Sequence, residues 1–386
     1  MSGKIKVMAY AIKELEYGNF YEAFEGWTFR DFKSDERALQ DWIAFTTVMY
    51  CPVDRLVHCG LTHFGNDLLH VFDPVTKKFR SMNYGRVAEP YEVKIHRSLV
   101  LADDGYIYGA TALLHDIDES NRAPGGRIFR YRPGGKGKIE VLAVPVPQAY
   151  IQSLALDRER KILYGFTFMP EHMFRYDLDT GKSTDLGLIG SCLFIGQAHR
   201  PVIDDNGWVW GTWGSYYSEG SLPTEGHRVN FLRYHPDAGK IEYLQYGLEG
   251  EGVSSTEMID EAVNGGDGYL YFGSRSGVLY RLNPRTRTPD CLGKPNLYLE
   301  RLGGIVVAKD GPLYLTAGDK DSARIFRYHR NRGEFEDLGP IYDPERGVSA
   351  EKIHCLTMDE ERGTFYGGEI DNLRRSSYLW EIELKK

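Results

Sequence analysis

The sequence predicts an all-β chain folded as one seven-bladed β-propeller, with an N-terminal strand that completes the last blade. Three observations predict this fold. A strand–turn–strand phrase recurs along the chain, a hairpin phrase follows each copy, and the last copy lacks a fourth strand. Repetition at a period of roughly 40–50 residues is typical of propellers, in which each blade is a four-stranded sheet.

The first phrase is a short apolar strand, an acidic or glycine turn, and a second strand that ends in an aromatic residue, often before Gly. Its copies are 46–60 (the weakest), 98–109, 153–165, 201–211, 261–273, 305–315 and 355–367. Its marker residues are His58, Tyr108, Tyr164, Trp210, Tyr271, Tyr314 and Tyr366. They are 43 to 61 residues apart, which fits one blade with its loops.

The second phrase alternates apolar and polar residues around a Pro, Asp or Gly turn, a pattern that predicts a hairpin of the third and fourth strands. Its copies are 70–79, 128–142, 173–186, 231–244, 279–288 and 325–338. The seventh copy, 378–386, stops after the third strand. Residues 4–12 can supply the missing strand, and this pairing would remove two open sheet edges.

We therefore expect a single domain over residues 1–386. Its parts are a closing strand at 4–12 and blades near 41–86, 95–145, 150–190, 198–247, 258–295, 301–342 and 352–386.

The composition excludes several classes of partner. The net charge is -8 and no Lys/Arg-rich run occurs, so we expect no nucleic-acid partner. No apolar run could cross a membrane, and the N-terminus lacks the apolar region of a secretory signal. The five scattered cysteines form no CxxC pair, which is typical of reduced thiols. We expect a cytoplasmic protein, unless a signal has been removed, and the sequence leaves its oligomeric state open.

A functional site is expected at one mouth of the central channel, where inner strands begin and second strands end. These points share one end of each blade because the two strands are antiparallel. The segments before the inner strands supply His96, Arg97, Tyr150, Gln152, His199, Arg200, Asp260, Arg301 and His354. Those after the second strands supply His115, His172, Trp213, Tyr216, Tyr217 and Arg275. For Arg97 and Arg301, ion pairs on the rim are the alternative.

These side chains suit β-elimination from a 4-linked uronic acid. Arginine neutralises a carboxylate, and histidine or tyrosine can move the proton at C5 and protonate the departing O4. This chemistry requires no cofactor. The predicted catalytic residues are His96, His115, Tyr150, His199 and Arg200. The predicted substrate-binding residues are Arg97, His172, Trp213, Tyr216, Tyr217, Arg275, Arg301 and His354.

The segment KIHRSLVLADDGYIYGATALLHD (94–116) resembles the second blade of the seven-bladed propeller polysaccharide lyases, namely the ulvan lyases and the rhamnose–glucuronate lyases of gum arabic degradation. The resemblance implies a lyase acting on a uronate-containing oligosaccharide of glucuronate or iduronate type. His96 and His115 match the family's histidine pair, and Tyr150 matches its tyrosine. The family's arginine has no counterpart, because Phe166 and Thr167 stand there.

We interpret His115 and Tyr150 as the acid–base pair, with His96 positioning or neutralising the carboxylate. Arg200 and His199 complete the neutralisation in place of the missing arginine.

Two other functions remain open. One is a non-catalytic propeller that binds carbohydrate or protein on Trp213, Tyr216 and Tyr217. The other is a different enzyme, either lactonase-like or similar to the metal-dependent oligogalacturonate lyases, and metal ligands could then include His199, His354 and Asp260. A structural or channel metal ion is also compatible with the sequence.

Overall fold

The computed structural model describes the chain except for 1–3, 17–30, 32–33, 38–40, 114–121, 135–137, 169, 191–195, 197, 217–226, 251–254, 371, 373 and 386. Seven antiparallel blades form a β-propeller, as the sequence predicts. Among the described residues, the one helical segment whose two ends are both defined is the 3₁₀ turn Tyr84–Arg86. No helix among the described residues has both the length and the apolar character to span a membrane.

The strands of the blades follow in chain order, innermost first. Blade 1 is built from Ala44–Cys51, Leu56–Thr62, Leu69–Asp73 and Lys78–Ser81. Blade 2 is built from Val100–Leu101, Ile107–Ala110, Ile128–Tyr131 and Glu140–Ala143. Blade 3 is built from Tyr150–Asp157, Ile162–Phe168, His172–Asp177 and Ser183–Leu188. Blade 4 is built from Val202–Ile203, Val209–Tyr216, His227–His235 and Lys240–Tyr243. Blade 5 is built from Ile259–Asn264, Leu270–Ser274, Leu279–Asn283 and Thr288–Gly293. Blade 6 is built from Leu302–Val307, Leu313–Ala317, Arg324–His329 and Glu334–Pro340. Blade 7 is built from Ile353–Asp359, Thr364–Glu369 and Leu379–Leu384, with Ile5–Tyr10 outermost. Four short strands lie between blades: Glu92–Lys94, Ala112–Leu113, Tyr342–Asp343 and Val348–Ser349.

In blades 2, 4 and 5 the marker residue of the first phrase bonds to an aspartate in its own turn. The Tyr108 hydroxyl donates to Asp104 at 2.7 Å, and the Trp210 indole N–H donates to Asp204 at 2.9 Å. These rings are buried, so the acceptor satisfies a polar atom that would otherwise be costly to bury. The recurring aromatic residue is therefore a structural part of the fold.

The glycine after the marker gives an aromatic ring room to pack. A Cβ atom added at Gly165 would overlap the ring of Phe174, and one at Gly211 would overlap Phe166 of the preceding blade. Aromatic rings thus pack directly against the backbone at these glycines. Neighbouring blades also pack ring against ring: the ring centroids of Phe231 and of Phe272 in the next blade are 5.4 Å apart.

The ring closes as the sequence predicts, by pairing of the N-terminal strand with the third strand of blade 7. Val7 lies opposite Ile382, and the register holds from Ile5 to Tyr10. Val7 is buried and Lys6 is exposed, so the strand has one face in the core and one in solvent.

We expect Val7→Ala to lower the free energy of unfolding by about 1–2 kcal/mol, because two buried methylene equivalents are lost. Lys6→Ala on the same strand is the matched control and should change it by less than about 0.5 kcal/mol. Urea denaturation followed by tryptophan fluorescence measures both. If Val7→Ala lowers the free energy of unfolding no more than Lys6→Ala does, pairing of this strand with blade 7 does not stabilise the propeller.

Candidate functional site

Bulges at the start of the inner strands turn polar groups toward the channel. In blades 1, 3, 5, 6 and 7 the pairing of the inner strand with the second strand skips one residue. The skipped residues are Thr46, Gln152, Asp260, Gly303 and His354. A bulge redirects a side chain or carbonyl from the sheet pattern, and here five blades do so at the same end.

Blades 2 and 4 reach the same place differently. Their inner strands are only Val100–Leu101 and Val202–Ile203. The preceding residues are free of strand pairing and carry His96, Arg97, His199 and Arg200 inward. The two mechanisms together converge on one cluster.

Three buried histidines meet at this end of the channel. His96 Nε2 and His354 Nε2 are 2.7 Å apart. The His199 ring centroid lies 5.6 Å from that of His96 and 5.8 Å from that of His354. Burial lowers the pKa of all three, and nearby positive charge lowers it further at His96 and His354. The imidazoles are therefore neutral near pH 7.

The proton of His96 can be placed from its partner. His96 Nδ1 lies 2.7 Å from the backbone carbonyl of Gln152, which can only accept a hydrogen bond. Nδ1 therefore carries the proton and Nε2 carries the lone pair that faces His354.

Arg97 fills the floor of the cluster. Its Nη1 donates to Glu261 at 2.7 Å, its Nη2 donates to the carbonyls of Gly303 and His354, and its Nε lies 3.2 Å from His354 Nε2. The residue is fully buried and has φ 40°, a left-handed conformation that is costly for any residue with a side chain.

The structure therefore corrects the expectation that Arg97 makes a rim ion pair or contacts substrate. All its guanidinium nitrogens are engaged by protein atoms, and its ion pair is in the interior.

The Asp260 carboxylate contacts both His199 and Arg301. Asp260 Oδ1 is 2.9 Å from His199 Nδ1, and its Oδ2 is 2.8 Å from Arg301 Nε. Burial alone would raise the pKa of Asp260, but His199 and Arg301 outweigh it and hold that pKa well below its usual value. Asp260 is therefore ionised and fixes both partners.

Positive charge is in excess at the cluster. The three guanidinium groups of Arg97, Arg200 and Arg301 face the two carboxylates of Asp260 and Glu261. Arg200 is the most accessible of the three arginines, with 30% of its side chain exposed against 15% for Arg301. Arg200 Nε is 3.6 Å from Glu261 Oε1, a loose pair that leaves hydrogen-bonding capacity for an anion.

Tyr150 begins the inner strand of blade 3, two residues before Gln152. Its ring packs edge-on against Phe168. Burial, with a smaller contribution from the charge of Glu171, raises the pKa of the phenol. Tyr150 is therefore protonated at neutral pH.

The other predicted residues are farther out or outside the described part of the chain. His172 pairs with Asp185 at 3.0 Å, and Trp213 packs on Tyr243 while its indole N–H donates to the Leu244 carbonyl. Arg275 is exposed. His115 and Tyr217 lie outside the described residues, as does the side chain of Tyr216.

Sequence reasoning missed Glu261. Its position follows the bulge of the inner strand, where other blades have the small residues Thr47, Ser153, Gly304 and Cys355. A carboxylate at a position otherwise occupied by small residues was the available signal.

Comparison with known proteins supports the fold alone. The chain is similar in structure to the extracellular domain of a putative hybrid two-component system from B. thetaiotaomicron, with TM-score 0.57, 14% identity, and 88% of this chain and 38% of that chain covered. It is also similar to a puromycin-hydrolyzing peptidase of Mycobacterium tuberculosis, with TM-score 0.54, 15% identity, and 92% and 52% covered. The chain thus spans about two-fifths to one-half of these neighbours. No family and no curated protein matches its sequence.

Proposed function

We propose that this propeller is a carbon–oxygen lyase that cleaves a 4-linked uronic acid in an oligosaccharide by β-elimination. The observation that supports the proposal is the excess of positive charge at the channel mouth, with the partly exposed Arg200 and Arg301 beside buried neutral histidines. The reaction must stabilise negative charge that spreads from C5 onto a carboxylate, and pre-positioned guanidinium groups do this without reorganising.

The uronate carboxylate binds to Arg200, with Arg301 next to it. A base removes the C5 proton, and the electron pair of that bond forms the C4–C5 double bond. The C4–O4 bond then breaks, and O4 receives the phenolic proton of Tyr150. We assign the role of base to His115, the other member of the expected acid–base pair, which lies outside the described residues.

A screen of glucuronate-, iduronate- and galacturonate-containing oligosaccharides for the ultraviolet absorbance of an unsaturated uronate tests the proposal. A product with this chromophore and one new reducing end per cleavage is the expected result. Binding of these sugars without any chromophore would instead indicate a carbohydrate-binding propeller.

Tyr150→Phe should lower kcat by about 10²–10⁴-fold, the usual contribution of a general acid, and should leave KM within a few-fold. The variant keeps the ring that packs on Phe168 and removes only the proton donor. Tyr298→Phe is the control because Tyr298 is 92% exposed on an outer loop. An unchanged kcat in Tyr150→Phe would exclude this residue as the acid.

The short separation between His96 and His354 favours a second candidate, a metal-dependent lyase. The Nε2 atoms of His96 and His354 are 2.7 Å apart. His96 Nε2 bears a lone pair, and His354 Nε2 accepts a hydrogen bond from Arg97 Nε, so two lone pairs face each other in an arrangement that a divalent cation would stabilise. The contact of His199 with Asp260 resembles the carboxylate support of metal-bound histidines. Activity that is lost with a chelator and restored by one added metal would favour this candidate over the metal-free reaction.

A further inference from the structure

The first turn of blade 1 differs from those of blades 2 and 5 in the side chain that contacts its aspartate. In blades 2 and 5 the aspartate of this turn accepts a hydrogen bond from a tyrosine four residues later, as in Asp104–Tyr108 and Asp267–Tyr271. In blade 1 the corresponding pair is Asp54 and His58, and Cys51 ends the strand before the turn. A scaffold position would keep the aromatic residue, so the exchange for a metal-binding side chain calls for an explanation.

Cys51, Asp54 and His58 form a compact set of potential metal ligands. One ligand atom from each lies within 4.8 Å of the other two, and Cys51 and His58 are buried. His58 Nε2 is 3.2 Å from Asp54 Oδ2. Two such ligands on one tetrahedral zinc ion, each at about 2.0–2.1 Å, would be about 3.3 Å apart.

The surroundings hold the histidine and the carboxylate in place. The Tyr131 hydroxyl is 2.9 Å from His58 Nδ1, so Nδ1 can carry the proton and leave Nε2 free for a cation. The backbone N–H groups of Gly134 and Leu56 donate to Asp54 at 2.6 and 3.2 Å. Such outer contacts orient ligands and raise metal affinity.

We propose that Cys51, Asp54 and His58 bind a divalent transition-metal ion, with zinc favoured by the mixture of sulfur, nitrogen and oxygen ligands. Water is the fourth ligand. The Cys51 Sγ–H bond breaks, its proton leaves to solvent, and the thiolate forms the metal–sulfur bond. The turn lies at the end of the blade opposite the bulges, and Val53 within it is 68% exposed, so the ion can enter from solvent. The site does not depend on the proposed lyase function.

Cobalt(II) is the probe, because a cobalt–thiolate bond gives a charge-transfer absorption. The full-length, reduced, metal-stripped chain is titrated with cobalt, and zinc is then added. One equivalent of thiolate-bound cobalt, displaced by zinc, is the expected result.

Two variants and one control locate the site. His58→Tyr recreates the tyrosine–aspartate pair of blades 2 and 5, so it removes a ligand and keeps the turn. Cys51→Ala removes the sulfur. Each should weaken cobalt binding by at least about 100-fold, and Cys51→Ala should also abolish the charge-transfer band. Cys59→Ala, which removes the buried thiol next to His58 in the chain, should keep both the affinity and the band.

The zinc-dependent rise in melting temperature provides a readout that does not rely on cobalt. It should occur in the wild type and in Cys59→Ala and be absent in Cys51→Ala. A charge-transfer band that persists in Cys51→Ala, or a wild type that binds no cobalt through sulfur, would overturn the proposal.

Discussion

Replacing Arg97 with methionine is expected to lower the free energy of unfolding by about 3–5 kcal/mol, the cost of breaking a buried ion pair by removing one partner. Arg97 Nη1 and Glu261 are 2.7 Å apart, and both side chains are almost completely removed from solvent. Methionine fills much of the volume but leaves the Glu261 carboxylate without its main counter-charge. Loss of the Arg97 guanidinium also leaves the carbonyls of Gly303 and His354 without the hydrogen bonds that Nη2 donates.

Urea denaturation of the metal-stripped protein measures the effect, with Arg285→Met as control. Arg285 is exposed in the outer hairpin of blade 5, so its replacement should change stability by less than about 0.5 kcal/mol. Adding Glu261→Gln to Arg97→Met should recover part of the loss, because the stranded charge is then removed as well. A decrease below about 1 kcal/mol in Arg97→Met would show that the pair is hydrated.

The repeat pattern predicts the scaffold well because each blade must solve the same packing problem. An aromatic marker such as Tyr108 needs an acceptor in its turn, and a glycine such as Gly165 must admit a neighbouring ring. These demands recur from blade to blade, with marker residues 43 to 61 residues apart. The closing strand follows from the same logic, since a blade that stops after three strands needs a fourth.

The site was predicted only in outline because its geometry depends on backbone irregularities that leave little trace in the sequence. The strand-start windows do contain His96, His199 and His354, which meet in space. Nothing in the sequence indicates that the bulge at Asp260 lets the carboxylate reach both His199 and Arg301.

Arg97 shows why charge alone misleads. An arginine at the start of a strand near a loop is usually exposed. Here left-handed backbone at Arg97 turns the side chain inward, where Glu261 from blade 5 meets it. Glu261 is 164 residues away from Arg97 in the chain. The burial of Arg97 therefore depends on how distant blades meet around the ring, and a local sequence pattern does not show this.

Replacing Arg200 with glutamine is expected to lower kcat/KM of the proposed lyase by about 10²–10³-fold, comparable to the loss of one oxyanion-stabilising donor. Arg200 is the most exposed cation of the cluster and is only loosely held by Glu261, so it is the group best placed to bind a substrate carboxylate. Removing it should leave the fold stable, because no buried charge loses its principal partner.

The division of the effect between kcat and KM distinguishes catalysis from simple binding. Negative charge on the carboxylate grows as the C5 proton leaves, so kcat should fall more than KM rises. Arg200→Lys should restore part of the activity as a point charge without bidentate contact, while Arg285→Gln, at the far end of blade 5, should match wild type. If Arg200→Gln retains kcat/KM within threefold of wild type, the carboxylate is neutralised elsewhere, and Arg301 or a metal ion held by the buried histidines becomes the candidate.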